Sequence, residues 1–450
     1  MMKIKKLLSA ALSSVILTGS LSFFSVHASS EDNTMRDMTT MDIVNDMGMG
    51  INLGNTFESC GDWITQWGES KPSSFETAWG SPIVTEQLIQ GYKKAGYDSL
   101  RIPVAWSNMM ANDGQYKIHP DYLARVTEVV DWALDADLYV IINLHWDSGW
   151  LEKVPTEYDE CIKKYTAIWN QISDAYRDYG DYLIFESQNE ELGWSSVWNP
   201  WGGTQGKEES FNYANSINQT FVDIVRSSGG NNEKRHLLIS GYNTNIGHTC
   251  DPLFKMPEDP ANRCAVSVHY YDPAGFAILT EDADWGKASP TWGTEEEYAY
   301  LNEQMDMLKS TFVDKGIPVI IGEYGCPKEN KEEDSVRKFL TAVCEASLSR
   351  GGICPVLWDI TNLHYDRQTY EMIDKQLQNE YLEIKEKYTA KDIAGDVTAD
   401  GKFDLADIVM MQKWLLGKGE LTDWKAGDIN KNDLIDIYDL CLMKRNLINQ

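Results

Sequence analysis

From about residue 48 to 387, short apolar runs, many of them β-branched, alternate with longer amphipathic segments. The runs at 47–54 (MGMGINLG), 99–104 (SLRIPV), 139–145 (YVIINLH) and 182–190 (YLIFESQNE) read as strands. So do those at 235–242 (RHLLISGY), 264–271 (CAVSVHYY), 318–325 (PVIIGEYG) and 354–360 (CPVLWDI). Between them, apolar positions recurring every three to four residues predict helices over Val84–Gly96, Tyr122–Ala136, Cys161–Tyr179, Phe211–Ser227, Glu295–Lys315 and Val336–Ser349. A further helix is expected at Tyr370–Lys387, while Asn243–Arg263 shows no clear helical pattern. Continuous apolar strands separated by helices imply a parallel sheet covered on both faces. Eight such units fit an α/β fold of the closed (β/α)8 barrel type, with an open doubly wound sheet as the alternative.

After Lys387 the pattern changes. AGDVTADGKFDLADIVMMQKWLLG and AGDINKNDLIDIYDLCLMKRNLI are two copies of one motif, 32 residues apart, so a second, small all-α module is expected over 393–449. In the first copy Asp396, Thr398, Asp400, Asp404 and Asp407 fall at positions 1, 3, 5, 9 and 12 of an EF-hand-like loop, with Gly401 at the turn. The second copy places Asp428, Asn430, Asn432, Asp436 and Asp439 at the same positions, with Asp433 where glycine is expected. This spacing of carboxylate and amide oxygens suits a hard cation such as Ca2+. Acidic loops that bind nothing are the alternative, and the duplication weighs against it. Each loop leads into an amphipathic segment, Ile408–Leu416 and Leu440–Ile448. A short polar joint, KEKYTAKDI, tethers this module to the larger domain at 36–387.

Composition narrows the function classes. With 40 Lys and Arg against 69 Asp and Glu, a formal net charge of −29, the surface repels nucleic acid and anionic membranes. The 16 Trp and 22 Tyr supply core packing first, and also the flat apolar faces on which pyranose rings stack. The basic start MMKIKK, the apolar run after it and the small residues ending at Ala28 read as a signal peptide over 1–28, implying secretion. The eight cysteines are widely spaced and contain no C-x-x-C. They argue against a disulfide-stapled scaffold and structural zinc; Cys250 and Cys264 bracket one loop and could pair.

Candidate chemistry sits where the predicted strands end, because the C-terminal ends of parallel barrel strands converge on one mouth. They carry Asn52 and Asn55 (first), Arg101 (second), His145 (third), and Asn189 and Glu190 (fourth). His269 and Tyr271 (sixth), Glu323 (seventh) and Trp358 (eighth) complete the set. Singly, each has a structural reading: a surface ion pair for Arg101, a satisfied core histidine for His145, packing for Trp358. Together they place two glutamates from different strands at one mouth, the equipment of glycoside hydrolysis. A metal cluster of His145, Asp147 and Glu190 is the rival. The absence of H-E-x-x-H and the surrounding Asn, Tyr and Trp favour hydroxyl recognition. Of the neighbouring acids, Glu186 is expected inside the barrel and Glu191 in a loop. Strand parity puts Asn189 and Glu190 on opposite faces, so the strand end must bulge or twist for both to face the mouth.

RIPV, NLH, FESQNE, VHYY, IGEYG and LWD resemble the successive signatures of glycoside hydrolase family 5, over roughly residues 36–387. The resemblance implies Glu190 as acid/base and Glu323 as nucleophile of a retaining endo-β-1,4-glucanase. It implies that Arg101, His145, Asn189, His269, Tyr271 and Trp358 surround the sugar, with His269 orienting Glu190 and Tyr271 or Arg101 holding Glu323; Asn52 and Asn55 join the substrate-binding candidates by their place at the end of the first strand. Xyloglucan, mixed-linkage glucan and mannan are alternative substrates, and a catalytically inactive glycan-binding component is a remote alternative. The sequence departs from the family pattern at Glu191, where proline is usual, at Trp146 in NLHWD, and in GINLG, which lacks a Trp before the asparagine. The C-terminal duplicate resembles a type I-like dockerin. That implies Ca2+ in the loops and a cohesin partner on a cellulosome scaffold, met through Leu405-Ala406 and Ile437-Tyr438, where Ser-Thr is common.

Overall fold

The computed structural model describes residues 35–66, 69–190, 196–388, 393–398, 402–419, 421–432 and 434–448. The expected signal peptide, Glu191, Asp400, Gly401 and Asp433 lie outside the described residues.

Eight parallel strands close into a barrel in sequence order: β1 Gly50–Asn52, β2 Ser99–Ile102, β3 Tyr139–Asn143, β4 Leu183–Glu186, β5 Leu237–Asn245, β6 Cys264–Tyr270, β7 Val319–Tyr324 and β8 Ile353–Leu357. β1 pairs with both β2 and β8, which rules out the open sheet. The long covering helices lie close to their expected places, at Glu86–Ala95, Pro120–Asp135, Val154–Ala175, Lys207–Ser227, Glu295–Thr311, Glu333–Leu348 and Lys375–Tyr388. Two of them show why they start where they do. Thr85 caps the first by accepting from the Leu88 amide, and Thr294 forms a capping box with Glu297. The connection after β5 contains one helical turn, Ile246–Thr249.

Alternation along the strands builds the barrel lumen in layers. Tyr139, Ile141, Ile184, Leu238, Ala265, Ile320, Cys354 and Val356 form its lower, apolar packing. The helix Thr40–Asp46, started by a Thr39–Asp42 capping box, closes it from below with Ile43 and Val44, and Met47 follows. Two residues further along the same faces come Arg101, Asn143, Glu186, Ser240 and Ser267, all fully buried. Dry packing below and polar groups above mark the C-terminal end of the barrel as the end that does chemistry.

Cys250 and Cys264, which could pair across their loop, do not. All eight cysteines are free, and Cys264 Sγ instead points at Asp259 (3.3 Å).

Residues 393–448 form their own core of Val397, Phe403, Ile408, Met411, Leu440 and Met443. Helices Leu405–Leu415 and Ile437–Ile448 correspond to the two repeats, so Ile408 and Met411 of one copy pack as Leu440 and Met443 of the other.

Candidate active site

The acidic segment after β4 carries the first half of the site. β4 ends at Glu186, and the chain beyond it stays pinned to both neighbouring strands: Ser187 N–H donates to Leu238 O, and Asn189 N–H to Leu144 O (both 3.0 Å). The Tyr165 hydroxyl donates to Ser187 O (2.9 Å), and Ser240 Oγ donates to Gln188 O. Held this way outside the regular ladder, Asn189 and Glu190 both reach the mouth. The expected irregularity extends to the neighbouring strands, with register shifts between β5 and β6, β6 and β7, and β7 and β8. After the shift at Val268, His269 lies directly opposite Glu323.

Arg101 is the hub. Its guanidinium is fully buried, with Nε donating to Glu186 Oε2 (2.7 Å) and Nη1 to Asn52 Oδ1 (3.0 Å) and Glu323 Oε1 (2.8 Å). Nη2 donates to Asn189 Oδ1 (2.9 Å). The Tyr271 hydroxyl donates to the other Glu323 oxygen (3.0 Å). His269 Nδ1 lies 2.6 Å from Glu190 Oε1 and 3.6 Å from Glu323 Oε2. Thr244 on β5 also reaches Glu190 Oε1 (3.5 Å). Glu190, His269 and Glu323 each present an atom within 4.8 Å of the others. Glu190 is the open member, its side chain 46% exposed against 8% for Glu323.

The remaining candidates take different places. Asn52 has no exposed surface: Nδ2 donates to Gly322 O and Leu357 O, and Oδ1 accepts from Arg101. Asn52 and Arg101 were expected among the residues of the sugar site. Both are enclosed, and the groups they hydrogen-bond belong to the cluster and the strands around it. Asn55 stands in the loop after β1 at positive φ, its amide N–H donating to Glu58, and its side chain makes no hydrogen bond to the cluster. His145 and Trp358 have nearly parallel rings with centroids 6.1 Å apart. Gly54 lies against the Trp358 indole, where a Cβ would come within 3.0 Å of the ring. Asp147, part of the rival metal reading, turns to Ser107 Oγ (2.6 Å) and Trp150 Nε1 (2.8 Å). Sequence reasoning passed over Thr244, because nothing signalled that β5 continues past Tyr242, and over Ser267, a small residue inside an apolar run.

The electrostatics follow from burial and these contacts. Burial raises Glu323 above the usual carboxylate range, and Glu190 adds to that, while His269 and Arg101 offset it in part. For Glu190, burial also pushes upward, but the hydrogen bond and charge of His269 outweigh it and the net direction is down. Burial lowers His269, yet Glu323 and Glu190 together bring it above its ordinary value. Burial and the positive charge of Arg101 hold His145 well below its ordinary value and therefore neutral. The two directions, Glu190 down and His269 up, favour an ion pair between these side chains.

In the small module, Asp396, Asp407 and Asp439 are buried. Asp407 accepts from the Thr398 amide and hydroxyl and from the Asp404 amide; Asp439 accepts from the amides of Ile429, Asn430 and Asp436. Neither has a Lys or Arg partner among the described residues, and Asn430 Oδ1 is buried without a hydrogen-bond partner. Asp407 and Asp439, buried without a Lys or Arg partner among the described residues, fit a bound hard cation. Leu405, Ile437 and Tyr438 are 65–67% exposed.

Comparison with known proteins agrees with both halves. The family profile described as Cellulase (glycosyl hydrolase family 5) matches residues 63–364, and the Dockerin type I domain profile matches 394–448. Endoglucanase B of Clostridium cellulovorans is 31% identical over 94% of this chain and 86% of its own length. A xyloglucan-specific endo-beta-1,4-glucanase of Bacteroides ovatus is 38% identical over 79% of this chain and 73% of its own. A solved GH5-4 broad specificity endoglucanase from an uncultured bovine rumen ciliate superposes with a TM-score of 0.68 at 37% identity, covering 77% of this chain and 98% of that one.

Proposed function

The chain belongs to glycosyl hydrolase family 5, the cellulases, and carries a type I dockerin; from that premise we propose that it is a secreted, retaining endo-β-1,4-glucanase assembled into a cellulosome. The observation that carries the mechanism is the approach of Glu190 and Glu323 to within 4.8 Å. Retaining glycosidases hold their carboxyls about 5–5.5 Å apart, whereas inverting ones need about 6.5–9.5 Å to fit a water.

Glu323 is the nucleophile. Arg101 and Tyr271 each donate to one of its oxygens, aiming the carboxylate and stabilising its charge as it attacks the anomeric carbon. Glu190, open to the cleft, protonates the departing glycosidic oxygen and later takes a proton from the water that releases the glycosyl-enzyme. The directions in the sugar-free protein are the reverse of this division, with Glu190 low and Glu323 high. Two features reconcile them. His269 Nδ1, 2.6 Å from Glu190 Oε1, is placed to pass Glu190 the proton it needs. Positive charge developing at the anomeric centre favours ionised Glu323 as the reaction begins. Asn189, its Oδ1 fixed by Arg101, is left with an amide N–H2 to donate to a sugar hydroxyl. His145 and Trp358 give the pocket its flat faces.

Cellulose and related β-glucans are the proposed substrates. Xyloglucan is the second reading, favoured by the xyloglucan-specific relative at 38% identity. In the dockerin, Ca2+ would be held by Asp396, Thr398, Asp400, Asp404 and Asp407, and by Asp428, Asn430, Asn432, Asp436 and Asp439. The ion would balance their charge and tie each loop to its helix. The exposed Leu405, Ile437 and Tyr438 suit an apolar cohesin contact. Proton NMR of the first products from a soluble β-glucan tests the mechanism: new reducing ends appear in the β configuration, and initial α ends would refute retention.

A further inference from the structure

Glu186 ends β4, four residues before Glu190, and meets Arg101 at Nε while Glu323 meets it at Nη1. Its Oε2 accepts from Arg101 Nε at 2.7 Å, and its Oε1 accepts from Ser267 Oγ at 2.6 Å. Both its side chain and that of Arg101 are 0% exposed. A guanidinium is a rigid planar fork, so fixing Nε fixes where Nη1 and Nη2 point. Here they point at Glu323 and Asn189. Ser267 is two residues from His269 on β6, so one carboxylate braces the strand that holds Glu323 through Arg101 and the strand that holds Glu190 through His269.

We propose that Glu186 is a positioning residue of the glycosidase reaction: it aims Arg101 at Glu323 and Asn189, and its negative charge limits how strongly Arg101 draws protons off the catalytic pair. The charged and titratable groups on the inner faces around it are Arg101 on β2, Tyr139 on β3 and His145 just beyond it, Glu190 beyond β4, His269 on β6, Glu323 on β7, and the Cys354 thiol on β8; Tyr324 on β7 turns outward to Tyr381. Neither β1 nor β5 carries an acid or base at this level. Glu186 heads the charges that keep Arg101 protonated against its burial, ahead of Glu323. With that charge removed, the cation acts on Glu323 and Glu190 uncompensated, and each gives up its proton at lower pH.

A purely structural ion pair would lower stability without moving the titration of the site, and this separates the two roles. The proposal rests on the assignment of Glu190 and Glu323 made above, so Glu323→Ala is measured alongside. Glu186→Gln is expected to shift both limbs of the pH profile of kcat/KM on a soluble β-glucan down by about one unit. It should lower kcat about tenfold or more with KM within about threefold. Glu186→Asp keeps the charge and shortens the reach, so its limbs stay in place while kcat falls. A Glu186→Gln profile that superimposes on the parent, with kcat reduced only as far as the folded fraction, overturns the proposal. If Glu186→Gln does not fold, Glu186→Asp decides: reduced kcat at unchanged KM and melting temperature supports the proposal, and parental kcat overturns it. If Glu323→Ala remains active, the assignment of the pair fails whatever the Glu186 variants do. If Glu323→Ala is dead and the Glu186 variants behave as the parent, this proposal alone fails.

Discussion

Two arginines in this barrel lose all contact with solvent, Arg101 near the mouth and Arg235 at the opposite pole. Arg235 donates to the main-chain carbonyls of Tyr176, Tyr179, Gly180 and Leu183 and to Asn232 Oδ1, and it lies over the Phe185 ring. Its hydrogen bonds go to no carboxylate, and burial together with Arg226 lowers its pKa to about 9, with Asp181 offsetting this only in part. Arg101 touches side chains alone, drawn from β1, β4, the segment after β4, and β7, and its carboxylates raise its pKa. Burial is the same in both cases. A cation spent on one loop's carbonyls locks a fold; a cation shared among acids from separate strands sets up chemistry.

The comparison breaks first at Glu323. Replacing it with Ala should reduce hydrolysis about 10⁴-fold or more while the melting temperature stays close to that of the parent; appreciable residual activity would remove the reason for treating the mouth as special. Next, Arg235→Met should cost about 3–4 kcal/mol of stability by stranding several carbonyls, with kcat of the folded protein unchanged. Denaturant unfolding paired with activity assays reads both, and an undisturbed midpoint would count against the clamp.

Buried charge also gathers at the dockerin loops, where no arginine answers Asp407 or Asp439 among the described residues. Chelation should therefore loosen residues 393–448 to proteolysis and end cohesin binding while hydrolysis of soluble glucan continues; cohesin binding that survives chelation would contradict the cation reading.

The smallest effect concerns two acids beside the mouth. Burial raises Glu58 to about 7 and Asp359 to about 6, with backbone N–H donors and Arg367 only partly offsetting it. An acid whose folded pKa lies above its unfolded one binds more protons when folded. Stability from these groups is therefore complete below about pH 4 and is lost as pH rises toward 7. The melting temperature should fall over that interval, and Glu58→Gln should flatten the fall.

Much of this was legible in the chain, and the exceptions are local. The eight apolar runs identified every barrel strand, because buried parallel strands need no polar alternation. Their ends were harder to place: 182–190 reads as one strand, yet the ladder stops at Glu186, where the chain serves the site instead. The helix Thr40–Asp46 escaped notice despite its Thr39–Asp42 capping box, since one short apolar face looks like a linker until the open barrel above it is known. Asn52 and Arg101 were named as candidate site residues, but strand position could not show that both are fully enclosed. Spacing left the pairing of Cys250 and Cys264 open, and both thiols are free.

The central claim is that Glu323 forms the covalent intermediate. An activated 2-deoxy-2-fluoro-β-cellobioside, whose fluorine slows turnover of the glycosyl-enzyme, tests it by mass spectrometry of the digested protein. The account predicts one added glycosyl unit on the peptide containing Glu323. A label on another residue, or none despite active hydrolysis of β-glucan, would contradict it.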